Sequence, residues 1–232
     1  MRTHATRQRI GDRSHQCDAT ATVTNTLTRT YALLDGIGSS QDVQAWTRTT
    51  ARRLARAAAH AGDAGTGLRA MHAAAAAEPG RNDFWADPPS AVAVVATLGP
   101  DGNLRVAWCG DARAYHLTPG GKLVRLTRDH NMREEILTLG GTPGPYARNT
   151  VTSYLGDTQE NPKIGTAAVP GGGRLLLASD GAYEPLEDSC RDLARYLTGQ
   201  PVARAASELV DDAIAHASAH ADNATVLVAE LT

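Results

Sequence analysis

Residues 91–126 read AVAVVATLGPDGNLRVAWCGDARAYHLTPGGKLVRL, and their texture decides the fold. Ala91 to Leu98 is a continuous apolar run of strand length, the pattern of a strand covered on both faces. Gly99-Pro100-Asp101-Gly102 and Thr118-Pro119-Gly120-Gly121 are turn chemistry. Between them Leu104, Val106 and Trp108 alternate with Arg105, Ala107 and Cys109; Gly110-Asp111 interrupts, and Arg113 to Leu117 resumes. Leu123 to Leu126 follows the second turn. Short strands joined by tight turns predict an antiparallel meander.

Upstream, the Thr-rich stretch from Asp18 to Leu34 predicts two strands meeting near Asn25, the second stopping at Asp35-Gly36. Ser39 and Asp42 have capping-box spacing, and Val43, Trp46, Thr50, Leu54, Ala57 and Ala61 then mark one face of a helix. Gly62 and Gly65-Thr66-Gly67 break it before a second helix from about Leu68 to Glu78. Downstream, a short helix after His130 should turn Met132, Ile136 and Leu137 inward, and residues 140–160 form a flap. Ile164–Val169 and Arg174–Ala178 read as strands, Ser189–Leu197 and the stretch after Pro201 as helices, and Thr225–Leu231 as a last strand. Grouped strands and grouped helices define an α+β fold. The expected architecture is a sandwich of two antiparallel sheets with helices outside, in one domain over 1–232.

Composition sets bounds on function. Of 232 residues, 42% are hydrophobic and 21% charged, an ordinary globular balance. With 23 basic against 25 acidic residues the net charge is −2, which argues against a basic coat for nucleic acid. Cys17, Cys109 and Cys190 form no CxxC pair, so a thiolate zinc site is not expected and a reducing cytosol fits. No apolar run is long enough to span a membrane, and Met1 to Arg13 lacks an apolar signal core. A cytoplasmic protein is expected.

Several apolar runs end at an aspartate beside glycine: Leu33-Leu34-Asp35-Gly36, Cys109-Gly110-Asp111 and Ala178-Ser179-Asp180-Gly181. Asp222-Asn223 precedes the last strand, and Asp18 heads the first. One Asp-Gly after a strand is ordinarily a turn. Several at once suit Mg²⁺ or Mn²⁺, which take hard oxygen ligands, and a neighbouring glycine lets a backbone carbonyl approach an ion.

Taken in order, these segments resemble the motifs of the PP2C (PPM) family of metal-dependent protein serine/threonine phosphatases, in its bacterial form. Asp35-Gly36-Ile37-Gly38 is similar to DGxG, and Gly110-Asp111-Ala112-Arg113-Ala114-Tyr115 to GDSRxY. Leu126-Thr127-Arg128-Asp129-His130-Asn131 is similar to LTxDHS, Leu176-Leu177-Ala178-Ser179-Asp180-Gly181 to LLxSDG, and Asp222-Asn223-Ala224-Thr225 to DNxT. Arg13 stands five residues before Asp18, as the family's arginine does.

The resemblance implies a four-layer α-β-β-α sandwich and hydrolysis of phosphoserine and phosphothreonine by a hydroxide bridging two Mn²⁺ or Mg²⁺ ions. It implies that Asp35 bridges both ions and that Gly36 offers its carbonyl. Asp180 and Asp222 complete the second ion, and Asp18 holds metal-bound water or touches the site directly. Asp111 helps bind a third ion, and Arg13 grips phosphate. The implied partners are phosphorylated proteins, among them a Ser/Thr kinase or its targets.

The chain departs from the family at Cys17, where Glu or Gln is usual, at Ala112 and Ser39-Ser40, and at Pro89-Ser90-Ala91. A non-catalytic binding module and a phosphatase of small esters stay as alternatives. His130 reads as a brace, His216 and His220 as a helix end rather than a metal pair, and Gly171-Gly172-Gly173 as a turn rather than a phosphate loop.

Overall fold

The long apolar runs become central strands because both of their faces are covered. The computed structural model describes residues 4–231 apart from Phe84, Glu160 and Ala219, so the flap's last residue lies outside the described set. One sheet contains β2 (Ala19–Thr24), β3 (Arg29–Ile37), β4 (Ser90–Leu98), β5 (Asn103–Cys109) and β8 (Gly165–Pro170), paired in that order. The other runs β1 (His4–Arg9), β10 (Ala224–Glu230), β9 (Arg174–Ala178), β6 (Arg113–Leu117) and β7 (Leu123–Arg125). All the pairings are antiparallel.

Side-chain alternation divides each central strand between two cores. Tyr31, Leu33, Val92, Val94, Leu175, Leu177 and Leu227 meet between the sheets. Ala32, Leu34, Ala93 and Val95 face α1 (Gln41–Ala61) and α2 (Ala64–Ala76). Leu176, Ala178, Val226 and Val228 face α4 (Asp180–Asp188), α5 (Ala194–Leu197) and α6 (Val202–His216). This is the expected α+β sandwich of two antiparallel sheets flanked by helices. Among the described residues no helix is long and apolar enough to cross a membrane.

Several local expectations are corrected. The meander is not continuous: β4 and β5 lie in one sheet, β6 and β7 in the other, and the chain crosses between them at Gly110-Asp111. The N-cap of α1 is Ser40, not Ser39; its hydroxyl accepts from Val43 N at 3.2 Å. Gly65 and Gly67 lie inside α2, whose N-cap is Asp63. Gly67 is tolerated there because a Cβ would meet Ala58 of α1 at about 2.6 Å or less, so close helix contact outweighs its poor propensity. In α3 (Met132–Thr138) no residue is buried, and Met132 and Leu137 face solvent instead of turning inward. The helix expected over 189–197 shrinks to the single turn of α5, and an unexpected helix, α4, precedes it, begun at the Asp180-Gly181 pair that reads as a turn. β1 has no strand signal beyond short alternation and is held by its pairing with β10.

The flap region is anchored at its second half. Val151 bridges Asn131, Leu155 bridges Ala91, and Leu155 is fully buried. Its first half carries one 3₁₀ turn, Ala147–Asn149.

Candidate active site

The topology gathers aspartates from five separate segments at one end of the sandwich. Asp35 and Gly36 lie near the end of β3, and Asp111 lies in the crossing from β5 to β6. Asp180 is the first residue of α4, and Asp222 immediately precedes the turn into β10. Arg13, Asp35, Gly36, Asp111, Asp180 and Asp222 line one cleft of about 220 Å³. Asp18 does not line it: this residue, 2% exposed, lies behind at the head of β2. Six of the seven residues singled out from the sequence therefore share one cavity wall, and the seventh supports it.

Gly36 is required by space. A Cβ there would lie 2.7 Å from the Cys17 carbonyl oxygen and 2.7 Å from Val43 Cγ1, so α1 could not pack so close.

The hydrogen bonds around the cleft are largely local. Ser179 Oγ donates to Asp18 Oδ2 at 2.9 Å and accepts from Thr225 N at 2.9 Å. Gly181 N donates to Asp180 Oδ1 at 2.6 Å, and Asn223 N to Asp222 Oδ1 at 2.7 Å. The Asn223 side chain accepts from Cys17 N at 2.7 Å and donates to Ile10 O at 2.8 Å, which ties the Arg13 loop to the segment before β10. Arg13 Nη2 pairs with Asp222 Oδ2 at 2.5 Å.

Like charges dominate the electrostatics. Asp18 is pushed up to about 8, first by burial and then by Asp180 and Asp222. Asp35 is held well above the carboxylate range by burial, with Asp18 and Asp180 adding to it. Asp111 and Asp180 are raised as well, burial leading in both. These carboxyls cannot all ionise together without a compensating cation. The Asp18 Oδ1 atom is buried with no hydrogen-bond partner.

Those observations test whether divalent ions fit. The donors are hard oxygens, the carboxyls carry uncompensated like charge, and one buried acceptor is unspent. Among the described residues no three Asp, Glu, His or Cys side chains close on a single point. A cation there would complete its shell with water and the Gly36 carbonyl, as Mg²⁺ commonly does with water. The donor set fits such ions.

Cys17 is removed from the cleft. Its thiol lies 3.6 Å from the Ser40 carbonyl oxygen, is 1% exposed, and is raised by burial. His130 braces the sheet crossing: it stacks on Trp108, and its Nδ1 accepts from Gly110 N at 3.4 Å. His216 ends α6 and His220 lies beyond it, so the two do not share a helix face.

Sequence reasoning missed Asn149 and Val151, which line the cleft from the flap. Nothing in that irregular stretch marked them. It also missed a buried ion network beneath the cleft. Arg113 pairs with Asp129 through Nε–Oδ1 at 3.0 Å and Nη2–Oδ2 at 2.7 Å, and with Glu187 through Nη1 at 2.7 Å. An arginine inside an apolar strand was the available signal, since such a charge is seldom buried unpaired.

No protein-family sequence profile matches the chain, and no curated protein matches it. Solved structures do. A bacterial serine phosphatase superposes with a TM-score of 0.81 at 18% identity, covering 99% of this chain and 97% of that one. The Mycobacterium smegmatis PPM Ser-Thr phosphatase MsPP, in complex with cacodylate, gives 0.75 at 24% identity over 99% and 98%. The catalytic domain of the phosphatase PstP, in complex with two manganese ions, gives 0.73 at 24% over 98% and 96%. The family resemblance carried by the motifs is thus matched by shape across nearly the whole chain, which has the fold of the bacterial PPM serine/threonine phosphatases.

Proposed function

We propose that the chain is a divalent-metal-dependent phosphatase of phosphoserine and phosphothreonine in proteins, working as one domain with residues 140–160 as its flap. The observation that carries this reading is the cleft itself: four aspartates from four strand or helix ends, a fifth behind them, and an arginine at the rim.

Asp35, the Gly36 carbonyl, Asp180 and Asp222 would hold two Mn²⁺ or Mg²⁺ ions, and Asp111 would contribute to a third. Bound there, such ions supply a water acidified toward neutral pH and positive charge for phosphoryl oxygens. Arg13 presents a planar fork of donors that matches a phosphate dianion. Asp18 Oδ1 is a free acceptor able to orient water, and Ser179 holds the other carboxylate oxygen in place. A side-chain nucleophile is not needed, and the raised Cys17 thiol is unsuited to the task. The substrates would be a Ser/Thr kinase or its targets in the cytoplasm.

The test is hydrolysis of a phosphothreonine peptide with and without Mn²⁺, beside Asp180→Asn. Metal-dependent turnover lost in the variant supports the reading, and full activity in Asp180→Asn sinks it. The position of Cys17 favours one second reading, a binding module without turnover, because its side chain offers nothing to the cleft. Calorimetry with Mn²⁺ separates the two: a binding module of that kind takes up no ion.

A further inference from the structure

A second hollow of about 310 Å³ opens directly from the cleft and shares Arg13, Asn149, Asp180 and Asp222 with it. A peptide with its phosphate in the cleft has room to lay a neighbouring side chain in this hollow. One wall is a single face of α4, where Asp180, Glu184 and Asp188 follow at intervals of four. The opposite wall is Arg148, on the 3₁₀ turn of the flap.

The charges of the hollow do not balance. Arg148 is its only cation besides Arg13 among the described lining arginines and lysines. Its guanidinium lies flat against Asp188, with Nη1–Oδ1 at 3.0 Å and Nη2–Oδ2 at 2.9 Å, and its Nε is 3.4 Å from Glu184 Oε2. One guanidinium thus answers two carboxylates. His216 is already engaged: its Nε2 accepts from Arg191 at 2.7 Å, and its Nδ1 donates to Asp212 O at 2.8 Å. The Arg148 pairs are partly exposed, at 39% for Arg148 and 57% for Asp188, so they exchange at little cost. An arginine side chain is already seated there, which shows the chemistry that the wall accepts.

We propose that this hollow is a substrate subsite for a basic side chain flanking the phosphoresidue, an arginine or lysine that takes Asp188 and Glu184 over from Arg148. Arg148 is then an internal competitor that sets specificity. The inference rests on the phosphatase reading and adds a sequence preference to it.

The experiment measures kcat/KM with Mn²⁺ on phosphothreonine peptides that differ only in carrying Arg, Ala or Glu on one side of the phosphoresidue and then on the other. Para-nitrophenyl phosphate, which has no flanking residue, runs alongside. With the competitor removed in Arg148→Ala, the Arg peptide is expected to exceed the Ala peptide by about fivefold on one side, the yield of one partly exposed ion pair, and by less in the unsubstituted chain, where it displaces Arg148. Asp188→Asn should bring that ratio close to one. Arg148→Ala should raise kcat/KM for the Arg peptide, because the competitor is gone. Equal rates for the three peptides, a preference for Glu, or a fall for the Arg peptide in Arg148→Ala each overturn the subsite while leaving the phosphatase standing. Absence of turnover on every substrate, the nitrophenyl ester included, overturns both together.

Discussion

The Arg113 guanidinium lies 3.7 Å from the ring centroid of Tyr183, and the hydroxyl of that tyrosine donates to the backbone carbonyl of Asp111 at 3.1 Å. One buried cation therefore connects β6, the 126–130 segment and α4 to an aspartate of the cleft. The same guanidinium holds Asp129, whose side chain is 3% exposed. Asp129 also takes Arg125 at 2.9 Å, so its two oxygens are fully engaged.

Removing that cation is expected to be costly. Arg113→Ala leaves Asp129 with only Arg125 and leaves Tyr183 without the charge above it. Losing one partner of a buried pair costs about 3–5 kcal/mol, because the remaining charge stays desolvated. Urea unfolding should report a loss in that range, and a loss under ~1 kcal/mol would show that Arg125 alone compensates.

The crowded aspartates predict an opposite effect at the cleft. Without metal, Asp35→Asn should raise the unfolding midpoint, since it removes a buried group whose neighbours Asp18 and Asp180 repel its charged form. With saturating Mn²⁺ the order should reverse, wild type gaining about 2.7 kcal/mol at a hundredfold excess over Kd and the variant gaining little. Thermal melts with and without Mn²⁺ check both halves.

Two histidines, buried His72 and half-buried His130, give stability an acid limit. His72 and His130 are lowered from 6.5, chiefly by burial, so the folded chain holds them neutral where the unfolded chain binds protons. Because the unfolded state takes up more protons there, stability is present above about pH 6.5 and falls as the pH drops through the lowered folded values. His72 is the cleaner probe, with Nε2 buried and unpartnered. His72→Gln should flatten the slope of stability between pH 7 and pH 5 in urea titrations at several pH values. An unchanged slope would assign the acid limit to other groups.

Gly67 offers a test of packing against propensity. Gly67→Ala gains about 1 kcal/mol of helix propensity but drives a methyl into the Ala58 backbone of α1. Overpacking of this kind costs about 1–3 kcal/mol and should win. A lowered unfolding midpoint is expected, and a raised one would mean that the two helices separate easily.

The layers and most strands were legible because they rest on apolar runs, which burial alone dictates: Ala91–Leu98 became β4 and Arg174–Ala178 became β9 within a residue. The cleft was legible because its aspartates sit at strand ends, next to glycines, in a recognisable order. What stayed hidden depends on long-range placement. The crossing at Gly110-Asp111 looks like any turn, since nothing local says which sheet receives β6. β1 exists only through β10, and α4 begins with residues that favour turns. Met132 and Leu137 have helical spacing yet meet no partner, because α3 lies on the rim rather than over a sheet.

The pairing of β1 with β10 has a consequence for how the protein is made. Asp18 is held by Ser179, 161 residues away, and Cys17 N by Asn223, 206 residues away. A nascent chain on the ribosome can finish the helix pair and the first four strands of the β2 sheet early, yet the cleft stays unassembled until β10 has emerged. Contacts of such long sequence separation also slow folding. The early-made half must wait with one sheet face uncovered, and catalytic competence, on the reading proposed above, arrives only once β10 has been made rather than accumulating during synthesis.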